Sequence, residues 1–131
     1  MARPRPQISQ SELLVLKSLW QKGPATVRQL AERLPKSGKR WAYTTVQTLL
    51  ARMEQKGYVT CDRGGFAHVF AAALSRDELL AGRVAELAEE LGGDVPAPLV
   101  LALVERTRFT SEEIKQFRAL LQRLSKEADK R

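Results

Sequence analysis

The segment from Ala42 to Lys56 constrains this 131-residue chain more than any other. Val46, Leu49, Leu50 and Met53 stand at i, i+3, i+4 and i+7, which puts them on one stripe of an α-helix. Thr44, Thr45, Gln47, Thr48 and Arg52 fall on the other faces, and Gly57 follows where a helix end favours a left-handed residue. The segment reads as a helix with one face to bury and one polar face to present.

The flanking chain supplies helices and a hairpin around it. After an Arg/Pro-rich opening, read as a flexible basic arm over 1–7, Ser9 and Glu12 form a Ser-x-x-Glu capping box. That box starts a helix with Leu13, Leu16 and Trp20 on one stripe, stopped by Gly23-Pro24. Thr26 and Gln29 open a second, shorter helix with Val27, Leu30 and Leu34 inward, ending at Pro35. A polar loop, 36–40, leads to the Ala42 helix. Beyond it, Tyr58 to Cys61, a turn Asp62-Arg63-Gly64-Gly65 and a run from Phe66 to Ala72 predict a hairpin, with Phe66, His68 and Phe70 on one face by period two. Helix, helix, helix, hairpin is the order of a winged helix-turn-helix, giving a mainly α fold with a small β-hairpin.

A boundary near Leu74 is expected between a winged-helix domain, 1–74, and a helical domain, 75–131. Ser75 and Glu78 form another capping box that begins an amphipathic helix carrying Leu80, Val84, Leu87 and Leu91, stopped by Gly92-Gly93. Pro96 and Pro98 suit a first helical turn, and the run Leu99 to Val104 after them is apolar nearly all round. Thr110 with Glu113 opens a last helix presenting Ile114, Phe117, Leu120, Leu121 and Leu124. Three short helices with so much apolar surface and so little mass fit an interface better than a monomeric domain. The expected seam is Leu87, Leu91, Val100, Leu101, Leu103, Val104, Phe117, Leu120, Leu121 and Leu124, some of it core within one chain.

Charge separates the halves. The chain has 22 Lys+Arg against 15 Asp+Glu, a formal +7. Residues 1–63 hold 12 basic and 4 acidic groups, or +8, while residues 64–131 hold 10 and 11, or −1. The first half suits a polyanion.

Several classes of function are excluded. The one cysteine, Cys61, cannot form an internal disulfide, and no Cys/His cluster offers metal ligands. Cys61 and the one histidine, His68, fall on opposite strands of the hairpin with no orienting acid, so a nucleophilic dyad is rejected. Gly64-Gly65 and Gly92-Gly93 lack the context of a phosphate-binding loop. No cofactor is expected, and no enzyme. No stretch is apolar enough to cross a bilayer and the N-terminus lacks the apolar core of a signal peptide, so the expected compartment is the cytoplasm.

What remains is the polar face of the Ala42 helix. Hydroxyls, an amide that can pair with adenine, and Thr methyls that meet the thymine methyl are groups that read major-groove edges. Thr44, Thr45, Gln47 and Thr48 supply them, with Lys39, Arg40, Arg52 and Arg63 placed for phosphates. A solvated helix face is the bland alternative, but such faces are usually rich in Glu and Lys. Here Lys39 to Arg52 contains no acid and puts β-branched Thr, a mediocre helix former, at three exposed positions. Trp41 and Tyr43 have two readings, a core or staple pair at the helix entrance or stacking on sugar and base. A second functional reading is a winged-helix module that docks an acidic protein; steep salt dependence with operator preference separates DNA reading from it.

Residues Ile8 to Trp20, the stretch Lys39 to Gly57 with its run Thr44-Thr45-Val46-Gln47-Thr48-Leu49-Leu50-Ala51-Arg52-Met53, and Leu99 to Leu124 with Leu-Val-Leu-Ala-Leu-Val-Glu together resemble the penicillinase and methicillin-resistance repressor family of bacterial transcription factors. The resemblance spans about residues 8–126. It implies a homodimeric repressor whose winged helices bind the halves of a palindromic double-stranded operator. It also implies a membrane sensor protease as partner and induction by proteolysis at a bond that maps to Ala102-Leu103. Family members carry Ser-Pro at the start of the reading helix, and often Lys and Arg on its face, where this chain has Ala42, Tyr43, Thr44 and Gln47; Thr45 and Thr48 keep the pattern. An Asn commonly precedes the cleaved bond, and Ala102 departs from that. The copper-responsive branch has a Cys-x-Cys motif near its C-terminus, which this chain lacks.

Overall fold

A computed structural model describes residues 5–34 and 41–130 of the chain. By the packing of its backbone the chain divides into two compact units, Met1–Leu91 and Gly92–Arg131.

The first unit runs α1 (Gln10–Lys22), α2 (Val27–Arg33), α3 (Tyr43–Lys56), β1 (Val59–Asp62), β2 (Val69–Ala72) and α4 (Arg76–Glu90). The caps show why the helices begin where they do. Ser9 and Thr26 each accept the N–H of the third helical residue, Glu12 and Gln29, whose side chains return to the cap N–H. Two orphan donors are satisfied at each start. At α4 only half of the expected box forms, since Ser75 accepts from the Glu78 N–H without a return bond. Helix α3 closes on Gly57 at φ 87° and ψ 16°, the left-handed conformation in which any Cβ is strained.

The core lies among α1, α2, α3 and the hairpin. Val15, Leu16, Leu30, Val46, Leu50 and Met53 are fully buried, and Tyr58, Val59, Phe70 and Leu74 close the hairpin side. Leu13, Trp20 and Trp41 pack against this cluster from its edge, and Trp20 Nε1 donates to the Leu74 carbonyl at 2.8 Å. The strands pair antiparallel, with Val59 opposite Ala72 and Asp62 opposite Val69. A third piece of β structure joins them, which the periodicity did not reveal: Ala25 and Phe70 exchange both backbone hydrogen bonds, at 2.9 and 2.8 Å.

Two expectations change. The second strand begins at Val69, not Phe66, because the Asp62 side chain takes the Gly64 N–H at 2.9 Å and turns the chain before pairing can extend. Phe66 and His68 therefore sit exposed in the connecting loop, and only Phe70 of the expected trio is buried. The arm read as flexible over 1–7 is fastened over its last three residues. Arg5 Nε donates to the Gly57 carbonyl at 2.9 Å, the Tyr58 hydroxyl to the Pro6 carbonyl at 2.6 Å, and Lys56 Nζ to the Gln7 carbonyl at 3.1 Å. By backbone packing α4 is grouped with the first unit, which ends at Leu91, whereas the expected boundary near Leu74 divides the chain by role.

Beneath the fastened arm, Glu12 is buried and its Oε1 meets Lys56 Nζ at 2.7 Å and the Ser9 N–H at 2.8 Å. Burial pushes this carboxyl up, but the Lys56 ammonium and the Ser9 hydrogen bonds outweigh it and hold Glu12 below the ordinary carboxylate value. The pair ties the start of α1 to the end of α3.

The second unit holds α5 (Ala97–Arg106) and α6 (Ser111–Asp129). Thr110 and Glu113 complete a capping box at α6, and its hydrogen bonds lower the Glu113 carboxyl pKa. Phe109 and Phe117 meet edge to face at 4.7 Å. No described residue of this unit is buried.

Candidate nucleic-acid interface

Helix α3 is anchored by Val46, Leu49, Leu50 and Met53, all buried, which fixes the opposite face outward. Thr44, Thr45, Gln47, Thr48 and Arg52 are all exposed on it, as the sequence pattern requires. The Thr48 hydroxyl donates to the Thr44 carbonyl one turn back, at 2.9 Å. Its proton is thereby engaged within the helix, and what Thr48 offers outward is a methyl group and oxygen lone pairs. Thr45 and Gln47 make no such internal bond among the described residues.

The N-terminus of α3 differs from those of its neighbours. Its cap is Ala42, which has no side-chain oxygen, whereas α1, α2, α4 and α6 are capped by Ser or Thr. The first N–H groups of α3 thus receive no side-chain cap, and an uncapped helix start favours anions. Tyr43 is exposed there, while Trp41 is half-buried against the core. Trp41 thus takes the core position of the two expected for this pair.

Of the expected phosphate contacts, Lys39 and Arg40 lie outside the described residues. Arg52 is exposed on the polar side of α3 and makes no ion pair among the described residues. Arg63 has a different setting from the one expected. Its Nη1 and Nη2 both donate to the carboxylate of Glu54 in α3, at 2.9 and 2.7 Å. The Arg63 hydrogen bonds hold the Glu54 carboxyl below its ordinary range, and the carboxylate in turn raises the Arg63 pKa. Sequence reasoning passed over Glu54, although it is the one acid of the Ala42 to Lys56 helix and Arg63 follows nine residues later.

The catalytic groups rejected from sequence occupy ordinary positions. Cys61 is half-buried on β1, where burial pushes its thiol pKa up and so keeps it from being a thiolate. His68 is exposed in the loop. Among the described residues there is no group of three His, Cys, Asp or Glu placed to hold a metal ion, and no helix long and apolar enough to cross a membrane.

The expected seam residues of α5 and α6, Val100, Leu101, Leu103, Val104, Phe117, Leu120, Leu121 and Leu124, are between 37% and 63% exposed. Leu87 on α4 and Leu91 at its C-cap are exposed as well. Ala102 and Leu103 lie within α5, in its second turn.

Comparison with known proteins bears on both halves. The profile of the penicillinase repressor family matches residues 8–123. The penicillinase repressor of Bacillus licheniformis is 24% identical over 117 residues, covering 89% of this chain and 91% of that protein. The transcriptional regulator BlaI of Mycobacterium tuberculosis is 45% identical over 73 residues, covering 54% of this chain and 51% of its own length. Among solved structures, the DNA-binding domain of the repressor BlaI superposes with a TM-score of 0.50 at 28% identity, over 60% of this chain and 93% of that domain.

Proposed function

The chain belongs to the penicillinase repressor family and is a DNA-binding transcriptional repressor, and from that premise we propose that it acts as a homodimer on a palindromic operator. The observation that carries the reading is the pairing of an acid-free, Thr- and Gln-bearing face on α3 with a core that fixes it outward. In this reading α3 enters the major groove. Thr45 and Gln47 donate to base edges, the methyl groups of Thr44, Thr45 and Thr48 meet thymine, and Arg52, Lys39 and Arg40 pair with phosphates. The uncapped start of α3 takes a further phosphate.

Residues 75–131 serve dimerisation. The exposed apolar faces of α4, α5 and α6 are covered by the same faces of a second copy, an isologous contact that makes the palindrome of the operator follow from the symmetry of the protein. Two half-sites held through one dimer gain far more affinity than either alone, so loosening that contact relieves repression. A membrane sensor protease cutting at Ala102-Leu103 is one means of doing so, and the cut must follow local opening, because the bond lies inside α5. The protein works in the cytoplasm and catalyses no reaction of its own.

Mobility shift on the operator footprinted from the protein's own promoter tests the reading. Thr45→Ala and Thr48→Ala are each expected to weaken binding about fivefold to tenfold, with relaxed preference over random duplex. Wild-type affinity in both variants would remove α3 as the reading helix.

A further inference from the structure

The wing of this protein is built unlike a cationic probe. Its loop, residues 63–68, carries Arg63, but that guanidinium is spent on Glu54 through both terminal nitrogens. With Asp62 at the loop's start, the formal charge of Glu54, Asp62 and Arg63 together is −1. Such a cluster gains nothing from approaching a phosphate. At the tip, by contrast, Phe66 is fully exposed, the most exposed large apolar side chain of the described residues. Gly64, Gly65 and Ala67 flank it, so little side-chain bulk keeps another surface from the ring.

The wing is also held firmly. One strand pair below its loop, Phe70 is tied to Ala25 by two backbone hydrogen bonds. Close to its tip the Arg63 fork fixes it to α3, and the Asp62 carboxylate closes the turn onto the Gly64 N–H. Glu54 follows Gln47 by seven residues, which places the two within about 20° of one another around the helix. The wing therefore rises along the Gln47 edge of the reading face, opposite the Arg52 edge.

We propose that Phe66 is a DNA-contacting residue that enters the minor groove beside the major-groove site of α3 as an apolar wedge against sugars and base edges, and that the Glu54–Arg63 pair is the positioning device that aims it. The inference rests on the DNA-reading function above. The sugar walls and base edges of the minor groove are the apolar part of a duplex, and inserted apolar side chains unstack a base step and bend the helix axis. Arg63 then touches no phosphate; it acts through the wing.

The experiment uses the full-length protein and the footprinted operator duplex, titrated at several salt concentrations. An apolar wedge displaces no counterions, whereas a lost phosphate contact lowers the salt slope by about one. Phe66→Ala is expected to weaken operator binding about tenfold with an unchanged slope, unchanged melting temperature and a smaller DNA bend in circular permutation. Phe66→Leu should recover part of the loss, and Arg52→Ala should lower the slope. Arg63→Ala should lose about as much as Phe66→Ala, again without changing the slope, and the exchanged pair Glu54→Arg with Arg63→Glu should restore binding. Operator affinity and bend within twofold of wild type in Phe66→Ala overturn the wedge while leaving the DNA-reading function intact. Tighter binding by Glu54→Ala, with a steeper slope, overturns the positioning role, because it would show Arg63 competing for phosphate. Absence of any operator preference in the wild type defeats the function and the wedge together.

Discussion

The two units of this chain are built from similar helices and reach opposite ends. In the first, Leu16, Leu30, Val46, Leu50 and Met53 share one closed interior. In the second, α5 and α6 are at least as apolar along their faces, yet every expected seam residue stays more than a third exposed. The difference is not hydrophobicity but closure. Three helices and a hairpin can surround an apolar centre, whereas two helices have only one mutual contact and leave their remaining faces to water. Each large side chain left about half exposed there forgoes about 1 kcal/mol of burial, which summed over the face is a strong drive toward a second copy.

The comparison breaks most visibly at Leu103. Leu103→Asp places a charge on the α5 face and is expected to raise the dimer dissociation constant about a thousandfold by sedimentation, roughly 4 kcal/mol. The core among α1, α2, α3 and the hairpin should stay folded. A dimer unchanged at micromolar concentration would show that α5 does not carry the interface.

The complementary change falls in the closed core. Leu50→Ala should cost the first unit about 3 kcal/mol in denaturant unfolding, the cavity outweighing any relaxation, with dimer affinity unaltered. If dimerisation weakened in step, the units would not be independent and the contrast between them would fail.

A smaller effect sharpens the picture within the first unit. Glu12→Gln leaves Lys56 without its carboxylate partner and should cost about 2 kcal/mol at pH 7. Because the folded pKa of Glu12 is lowered, the stability it contributes is complete above its unfolded value of 4.5 and is lost as pH falls through the folded one. The deficit of the variant should therefore shrink as pH drops below 4.5. A deficit constant from pH 7 to pH 3 would show that the carboxylate charge contributes nothing.

Local physics made most of the fold legible. The boxes at Ser9, Thr26 and Thr110 formed as spaced because a cap involves residues only three apart, and the α3 stripe buried as its periodicity requires. Legibility failed where partners are distant in sequence. Arg5 with Gly57, Trp20 with Leu74 and Ala25 with Phe70 are matched by nothing in their own neighbourhoods. The charge of Arg63 could be counted from the sequence, but its partner Glu54 could not be located there. Phe66 followed the period-two pattern of a strand, and the Asx turn at Asp62 ended that strand first.

The sequence by itself determined the order of elements, the face of α3 that turns outward and the concentration of positive charge in the first half, since each follows from spacing within one helix or from counting. Only the tertiary structure decided that Arg63 is bound to Glu54, that Phe66 stands at an exposed tip, that residues 5–7 are fastened and that the second unit closes no core of its own. Those outcomes depend on which surfaces meet after the chain has folded back on itself, and a side chain's charge or apolar area has no fixed meaning until the group that neutralises or covers it is in place.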